Sequence, residues 1–167
     1  MSKIKQHEWA YLAGFLDADG SIYIRVKPNN SYRYGFQISP SVVFFQSHKE
    51  RDKIKEMQEL FEVGYLRDRK DGIVEWTIGD KKSITLVMRN TLKFLRLKKK
   101  QARLMLEVLE KKPLVKTEKE FANLVGEIDK FKDLNYSKRR INDKEKVLAR
   151  FKFNLDIKLK KKNLLAP

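Results

Sequence analysis

Two stretches of strict alternation, each folded back on itself by a turn, constrain this chain more than any other feature. After Asp19-Gly20, Ile22, Ile24 and Val26 point one way while Ser21, Tyr23, Arg25 and Lys27 point the other, as in a half-buried strand with a basic face. Pro28-Asn29-Asn30-Ser31 supplies a turn, and Phe36, Ile38, Val42 and Phe44 then oppose Arg33, Gln37, Ser39 and Ser41. Pro40 in that second strand requires an edge or a bulge. The pattern recurs downstream: Tyr65, Arg67 and Arg69 alternate with Leu66, Lys70-Asp71-Gly72 reverses the chain, and Val74, Trp76 and Ile78 alternate with Glu75 and Thr77.

Helical spacing fills the intervals. A first helix is predicted from about Ile4 to Leu16, ending near Asp17 and carrying the small residues Ala10, Ala13 and Gly14. Others are predicted over Glu50 to Phe61, over about Lys81 to Phe94, and from the basic stretch Arg96-Leu97-Lys98-Lys99-Lys100 to about Lys112, where Pro113 stops it. Thr117-x-x-Glu120 reads as a capping box for a helix through about Phe131, and Asn142-x-x-Glu145 as the start of a shorter one. The sum is an α+β unit, αββαββα with additional C-terminal helices, in one domain over residues 1–155. Residues 156–167, with Lys158, Lys160, Lys161 and Lys162, are expected to be a mobile basic tail.

Charge narrows the partners. Thirty-eight Lys and Arg against 22 Asp and Glu leave a net charge of +16, more than solubility requires, which points to a polyanion. No apolar run is long enough to span a membrane and the N-terminus lacks a secretory pattern, so an intracellular protein is expected. Without cysteine, and with His7 and His48 as its only histidines, the chain must hold any metal through oxygen, which favours magnesium-like chemistry over zinc. A basic antiparallel sheet suits the DNA major groove. Arg25, Lys27, Asn29, Tyr32, Gln37 and Ser39 on the first hairpin, with Tyr65, Arg67, Arg69, Glu75 and Thr77 on the second, have the side chains that read bases; Lys81, Lys82, Lys99 and Lys100 suit phosphates.

Between the first helix and the first strand lies Leu12-Ala-Gly-Phe-Leu-Asp-Ala-Asp-Gly20. It resembles the LAGLIDADG motif of homing endonucleases at seven of nine positions. Lys27-Pro-Asn-Asn-Ser-Tyr32, Val63-Gly-Tyr-Leu-Arg-Asp-Arg69 and Phe94-Leu-Arg-Leu-Lys-Lys-Lys-Gln-Ala102 are similar to parts of the homodimeric, organellar branch of that family, so the likeness runs from about Tyr11 to Asn135. The residues agree with such a role. Asp17 and Asp19 at a helix C-terminus stack negative charge on a negative dipole, and a divalent cation held by Asp19 and the Ala18 carbonyl would offset it. Ala10 and Gly14, four apart, let two such helices approach closely, with Ala13 and Asp17 also expected near the dimer contact. Asp17 reads as structural rather than as a ligand. Leu124-Val-Gly-Glu-Ile-Asp-Lys130 echoes a second motif but lacks Asp-Gly, so a two-site enzyme built from this chain must be a dimer.

The resemblance implies more than the residues do. It places Gln46 and Lys98 around the cleavage water, and implies Mg²⁺ or Mn²⁺ for cutting, with Ca²⁺ supporting binding alone. It also implies a long, nearly palindromic duplex site, short cohesive ends, intron homing and an origin in chloroplast or mitochondrion. Two other classes stay open at this point: an RNA maturase or non-cleaving DNA-binding protein on the same scaffold, and a ribosomal-type RNA-binding protein.

Overall fold

A computed structural model describes residues 4–135 and 141–164. Among these residues the elements run α1 (Gln6–Asp19), β1 (Gly20–Pro28), β2 (Phe36–Ser47), α2 (Arg51–Phe61), β3 (Tyr65–Asp68), β4 (Ile73–Ile78), α3 (Lys81–Thr91), α4 (Lys99–Lys111), α5 (Glu118–Asp129), α6 (Phe131–Leu134) and α7 (Lys144–Leu164). The four strands form one antiparallel sheet in the order β1-β2-β4-β3. This is the expected α+β arrangement, with the helices on one face and the polar alternates on the other.

The apolar set of each strand turns toward the helices. Ile22, Ile24, Val26, Phe36, Ile38, Val42, Phe44, Val74, Trp76 and Ile78 are buried against α1 and the later helices. Trp76 anchors the centre. Its ring stacks on Phe44 at 4.8 Å and its Nε1 donates to the Val63 carbonyl at 2.8 Å, so an indole worth roughly 3 kcal/mol in burial leaves no polar atom unsatisfied.

Pro40 is tolerated because of strand length. β4 pairs only with Val42–Ser47, so beyond Val42 the outer side of β2 has no strand neighbour, and there Lys112 Nζ donates to the Ile38 carbonyl. The missing N–H of Pro40 therefore breaks no ladder on that side.

Several boundaries differ from those expected. α1 continues to Asp19, two residues beyond Asp17, and β1 begins at once. α3 stops at Thr91, and Phe94 and Leu95 both donate to the Thr91 carbonyl in a tight turn. The capping box at Thr117 and Glu120 forms as read. Asn142 does not cap: Asp143 accepts from the Lys146 N–H, while Asn142 Nδ2 donates to the Val26 carbonyl on the free edge of β1. α7 is 21 residues long, not short. Its sequence contains no Gly or Pro, and Val147 and Phe151 seat it beside Phe36 and Phe121. Residues 156–164 of the expected tail are thus helical, and 165–167 lie outside the described residues.

Candidate active site and nucleic-acid interface

α1 has two sides with different fates. Trp9, Leu12, Ala13 and Leu16 are buried in the chain's own core, whereas Tyr11 is 63% exposed and Gly14, Ala18 and Asp19 are also exposed. Ala10 is half-buried beside them. A Cβ added at Gly14 would meet nothing within 4 Å, so this side is open backbone available to a second helix. Ala13 does not belong to it. At 0% exposure it packs inward, because its position falls one residue off the outward stripe, and its expected place at the dimer contact is withdrawn.

The junction with β1 needs a glycine for space alone. A Cβ on Gly20 would sit 2.4 Å from Leu16 Cδ1 and 2.7 Å from the Leu16 carbonyl oxygen, which also accepts the Gly20 N–H.

The two carboxylates of the last turn separate completely. Asp17 turns back into its own chain: Oδ2 accepts from the N–H groups of Arg96 at 2.7 Å and Leu97 at 3.2 Å, and Oδ1 from that of Lys98 at 2.9 Å. Within the chain its carboxylate is engaged by the loop between α3 and α4. Asp19 makes no hydrogen bond or ion pair with the described residues and stands exposed at the helix end. It borders a cleft of about 750 Å³ that also takes in Ala10, Gly14, Gln46, Glu50 and Lys53. Gln46 reaches this cleft because it follows Phe44 by two residues on the helix-facing side of β2; its Oε1 accepts from the Ser47 N–H.

Lys98 lies on the other flank of the same helix end, in a cleft of about 960 Å³ shared with Asp17, Ala18, Tyr23, Arg25 and Asn135. Its ammonium donates to the Asp17 carbonyl oxygen. Burial pushes the Lys98 ammonium below the usual lysine range, against the opposing pull of Asp17 and Asp19. The cation is therefore close enough to feel Asp19 without pairing with it. Two carboxylates at a helix C-terminus call for something positive, and the lysine meets part of that need from within the chain.

The donors left over fit a hard cation. Asp19 offers carboxylate oxygens and the last carbonyls of α1, Ala18 included, have no intrahelical partner. Among the described residues no group of three or more His, Cys, Asp or Glu side chains is gathered together.

The opposite face of the sheet carries the other candidates, and the register aligns them. Lys27 faces Gln37, Arg25 faces Ser39, Tyr65 faces Thr77 and Arg67 faces Glu75. On the first hairpin the cations are unoccupied: Arg25 stacks on the Tyr23 ring at 4.8 Å, and neither it nor Lys27 has an acidic partner among the described residues. Asn29 serves its own turn, accepting from the Ser31 N–H, and Tyr32 is exposed at the tip. The second hairpin is locked. Glu75, only 8% exposed, accepts from Arg67 Nε at 2.8 Å and Arg69 Nη1 at 3.3 Å, and Arg69 also pairs with Asp71. Glu75 thus aims two arginines. Lys99 and Lys100 follow Lys98 at the start of α4, while Lys81 and Lys82 are exposed at the start of α3, with Lys81 near Lys112.

Sequence reading missed the fastening of β1. Asn135 and Asn142 donate to the Ile22 and Val26 carbonyls, and Arg150 donates to Asn30 Oδ1 in the hairpin turn. Nothing in the local pattern distinguishes these side chains from solvated ones. Tyr23, which carries Arg25, was legible only as an outward strand residue.

Residues 12–106 match a family model described as LAGLIDADG endonuclease. The chain is 34% identical over 140 residues to DNA endonuclease I-CreI of Chlamydomonas reinhardtii, covering 83% of this chain and 85% of that protein. To DNA endonuclease I-CvuI of Chlorella vulgaris it is 32% identical over 111 residues, 66% of this chain and 69% of that one. The fold superposes with a TM-score of 0.83, at 30% identity over 88% of this chain and 94% of the other, on I-CvuI solved with an I-CreI target in 2 mM Mg, the DNA not cleaved. An archaeal intron-encoded homing endonuclease, I-Vdi141I bound to DNA, shares the fold with a TM-score of 0.76 at 17% identity, over 86% of this chain and 93% of that one.

Proposed function

The chain belongs to the LAGLIDADG family of DNA endonucleases, and from that membership we propose how its parts divide the work. It is a site-specific homing endonuclease that binds double-stranded DNA and breaks both strands. Two copies pack the open sides of α1 together through Ala10 and Gly14, which brings two Asp19 carboxylates to one place over the scissile phosphates. The observation that carries this reading is Asp19 itself: an exposed carboxylate at a helix C-terminus, without a partner among the described residues, on the border of a face of α1 that those residues leave bare.

Asp19 and the Ala18 carbonyl are the groups that would hold a divalent cation, Mg²⁺ or Mn²⁺ for cutting and Ca²⁺ for binding alone. When bound, such an ion neutralises phosphate charge and makes water a better nucleophile. Gln46, in the same cleft, orients water by hydrogen bonds, and Lys98 meets the charge that grows on the phosphate. The basic sheet face lies in the major groove. Arg25, Lys27, Gln37, Ser39 and Thr77 read bases together with Arg67 and Arg69, which Glu75 orients, and Lys99 and Lys100 meet phosphates. Residues 1–155 act as one domain. The target is a long, nearly palindromic site, cut to short cohesive ends during intron homing in an organelle.

Incubating the protein with the intron-free form of its target and Mg²⁺ should give a double-strand break that Asp19→Asn abolishes while Ca²⁺-supported DNA binding persists. Tight, specific binding by the wild-type chain without any cleavage in Mg²⁺ would instead mark a binding protein on this scaffold.

A further inference from the structure

Two helix ends in this fold carry charge of the wrong sign. α1 finishes with Asp17 and Asp19 and has no basic residue in its last turn; α4 opens on Lys99 and Lys100, directly after Lys98, with no acid in its first turn. Each works against its own helix dipole. The fold sets the two ends against each other, so that each supplies what the other lacks. Asp17 gathers the three consecutive N–H groups of Arg96, Leu97 and Lys98, and the Lys98 ammonium caps the Asp17 carbonyl in return.

We propose that Asp17 is a positioning residue that acts through Lys98, holding the loop between α3 and α4 so that the Lys98 ammonium stands at the C-terminal end of the motif helix, on the Asp17 carbonyl. This rests on the reading above that Lys98 meets the scissile phosphate. Upstream, the loop is held by buried Leu95 and by the two N–H groups that donate to the Thr91 carbonyl. Beyond Leu95 that support ends: Leu97 is 73% exposed and contributes no burial. The Asp17 carboxylate accounts for three of the bonds that tie residues 96–98 to the motif helix, the Lys98 ammonium on the Asp17 carbonyl being another. Only a carboxylate suits the place, because both oxygens accept; an asparagine would turn an NH₂ donor toward one side of a cluster of N–H donors.

The test is a cycle of Asp17→Asn, Lys98→Met and the double variant, read as single-turnover cleavage in saturating Mg²⁺, target affinity in Ca²⁺ and sedimentation. Lys98→Met should slow cleavage. Asp17→Asn should slow it about 100-fold, the scale of an ångström-level misplacement, with dimer and Ca²⁺-supported affinity kept. The double variant should cut within about threefold of Lys98→Met alone, since one ammonium cannot be displaced twice. Leu97→Gly loosens the same loop without touching the motif and should reproduce the slowing and its non-additivity, which decides the matter if Asp17→Asn does not fold. Wild-type cutting by both Asp17→Asn and Leu97→Gly, or effects that multiply with that of Lys98→Met, would overturn the role of Asp17. If Lys98→Met itself cuts at the wild-type rate, the assignment of Lys98 to the phosphate falls as well, and the two failures are told apart.

Discussion

The inward and outward sides of α1 are built from the same small, apolar vocabulary, yet they solve different problems. Inward, Ala13 is wholly buried in the chain's own core, and at the end of the helix Gly20 is small because Leu16 leaves no room for a Cβ. Outward, Gly14 is small although a Cβ there would meet nothing within 4 Å among the described residues beyond its own helix. A glycine in a helix interior costs about 1 kcal/mol relative to alanine, so an open one suggests that closeness is needed for something outside the chain. The two aspartates divide in the same way. Asp17 is spent within the subunit, and Asp19 is left for what the subunit lacks.

The sharpest way to break this comparison is at the carboxylates. Asp19→Asn should lower cleavage by about 10³-fold while leaving thermal stability and DNA affinity in place, measured by single-turnover kinetics, melting and binding in Ca²⁺. Loss of folding instead would mean that Asp19 is also used internally. Next comes Gly14→Arg, which fits the monomer without contact but should weaken the dimer by about 2 kcal/mol or more, roughly 30-fold in dissociation constant, by sedimentation. An unchanged dimer would place the contact elsewhere.

On the inward side the expected effects fall on the fold. Ala13→Leu and Gly20→Ala should each cost about 2 kcal/mol in a denaturant melt, because Ala13 is fully buried in the core and a Cβ on Gly20 would collide with Leu16. If Ala13→Leu instead changed association alone, the inward placement of Ala13 would be wrong. The smallest effect belongs to the sheet, where the second hairpin has the same inward use of a carboxylate. Glu75→Gln removes the charge that holds Arg67 and loosens Arg69, which keeps Asp71, so affinity for random DNA should rise while discrimination at the bases beneath that hairpin drops by about 1 kcal/mol, seen in competition binding against single-base variants. The first hairpin, whose Arg25 and Lys27 have no such partner among the described residues, offers a direct control: removing either should cost about 1 kcal/mol and relax discrimination at the bases beneath that hairpin, with random-DNA affinity not raised.

Most of the framework was legible in the chain because it depends on local rules. Alternation assigned Ile22, Ile24 and Val26 to the core and Arg25 and Lys27 to the opposite face, and the capping box at Thr117 marked a helix start to the residue. Asp19 stood out because nine consecutive residues share one resemblance. Errors clustered where a side chain's partner is far away in sequence. Ala13 and Gly14 are adjacent and similarly small, and only packing shows that a helix turns one inward and leaves the other bare. Asn142 had the spacing of a cap, but a bare strand edge competed for it and won.

The sequence by itself determined the α+β alternation and the basic face, which short-range periodicity and composition carry, and the family membership, which the nine residues Leu12–Gly20 and the similarity around them carry. Tertiary structure decided which carboxylate is free. Asp17 and Asp19 lie two residues apart and have the same chemistry. A loop some 80 residues downstream, brought against the end of α1 by the packing of α4, turns one into a structural anchor and leaves the other exposed. No local pattern encodes that choice, because it depends on where two helix ends of opposite charge meet.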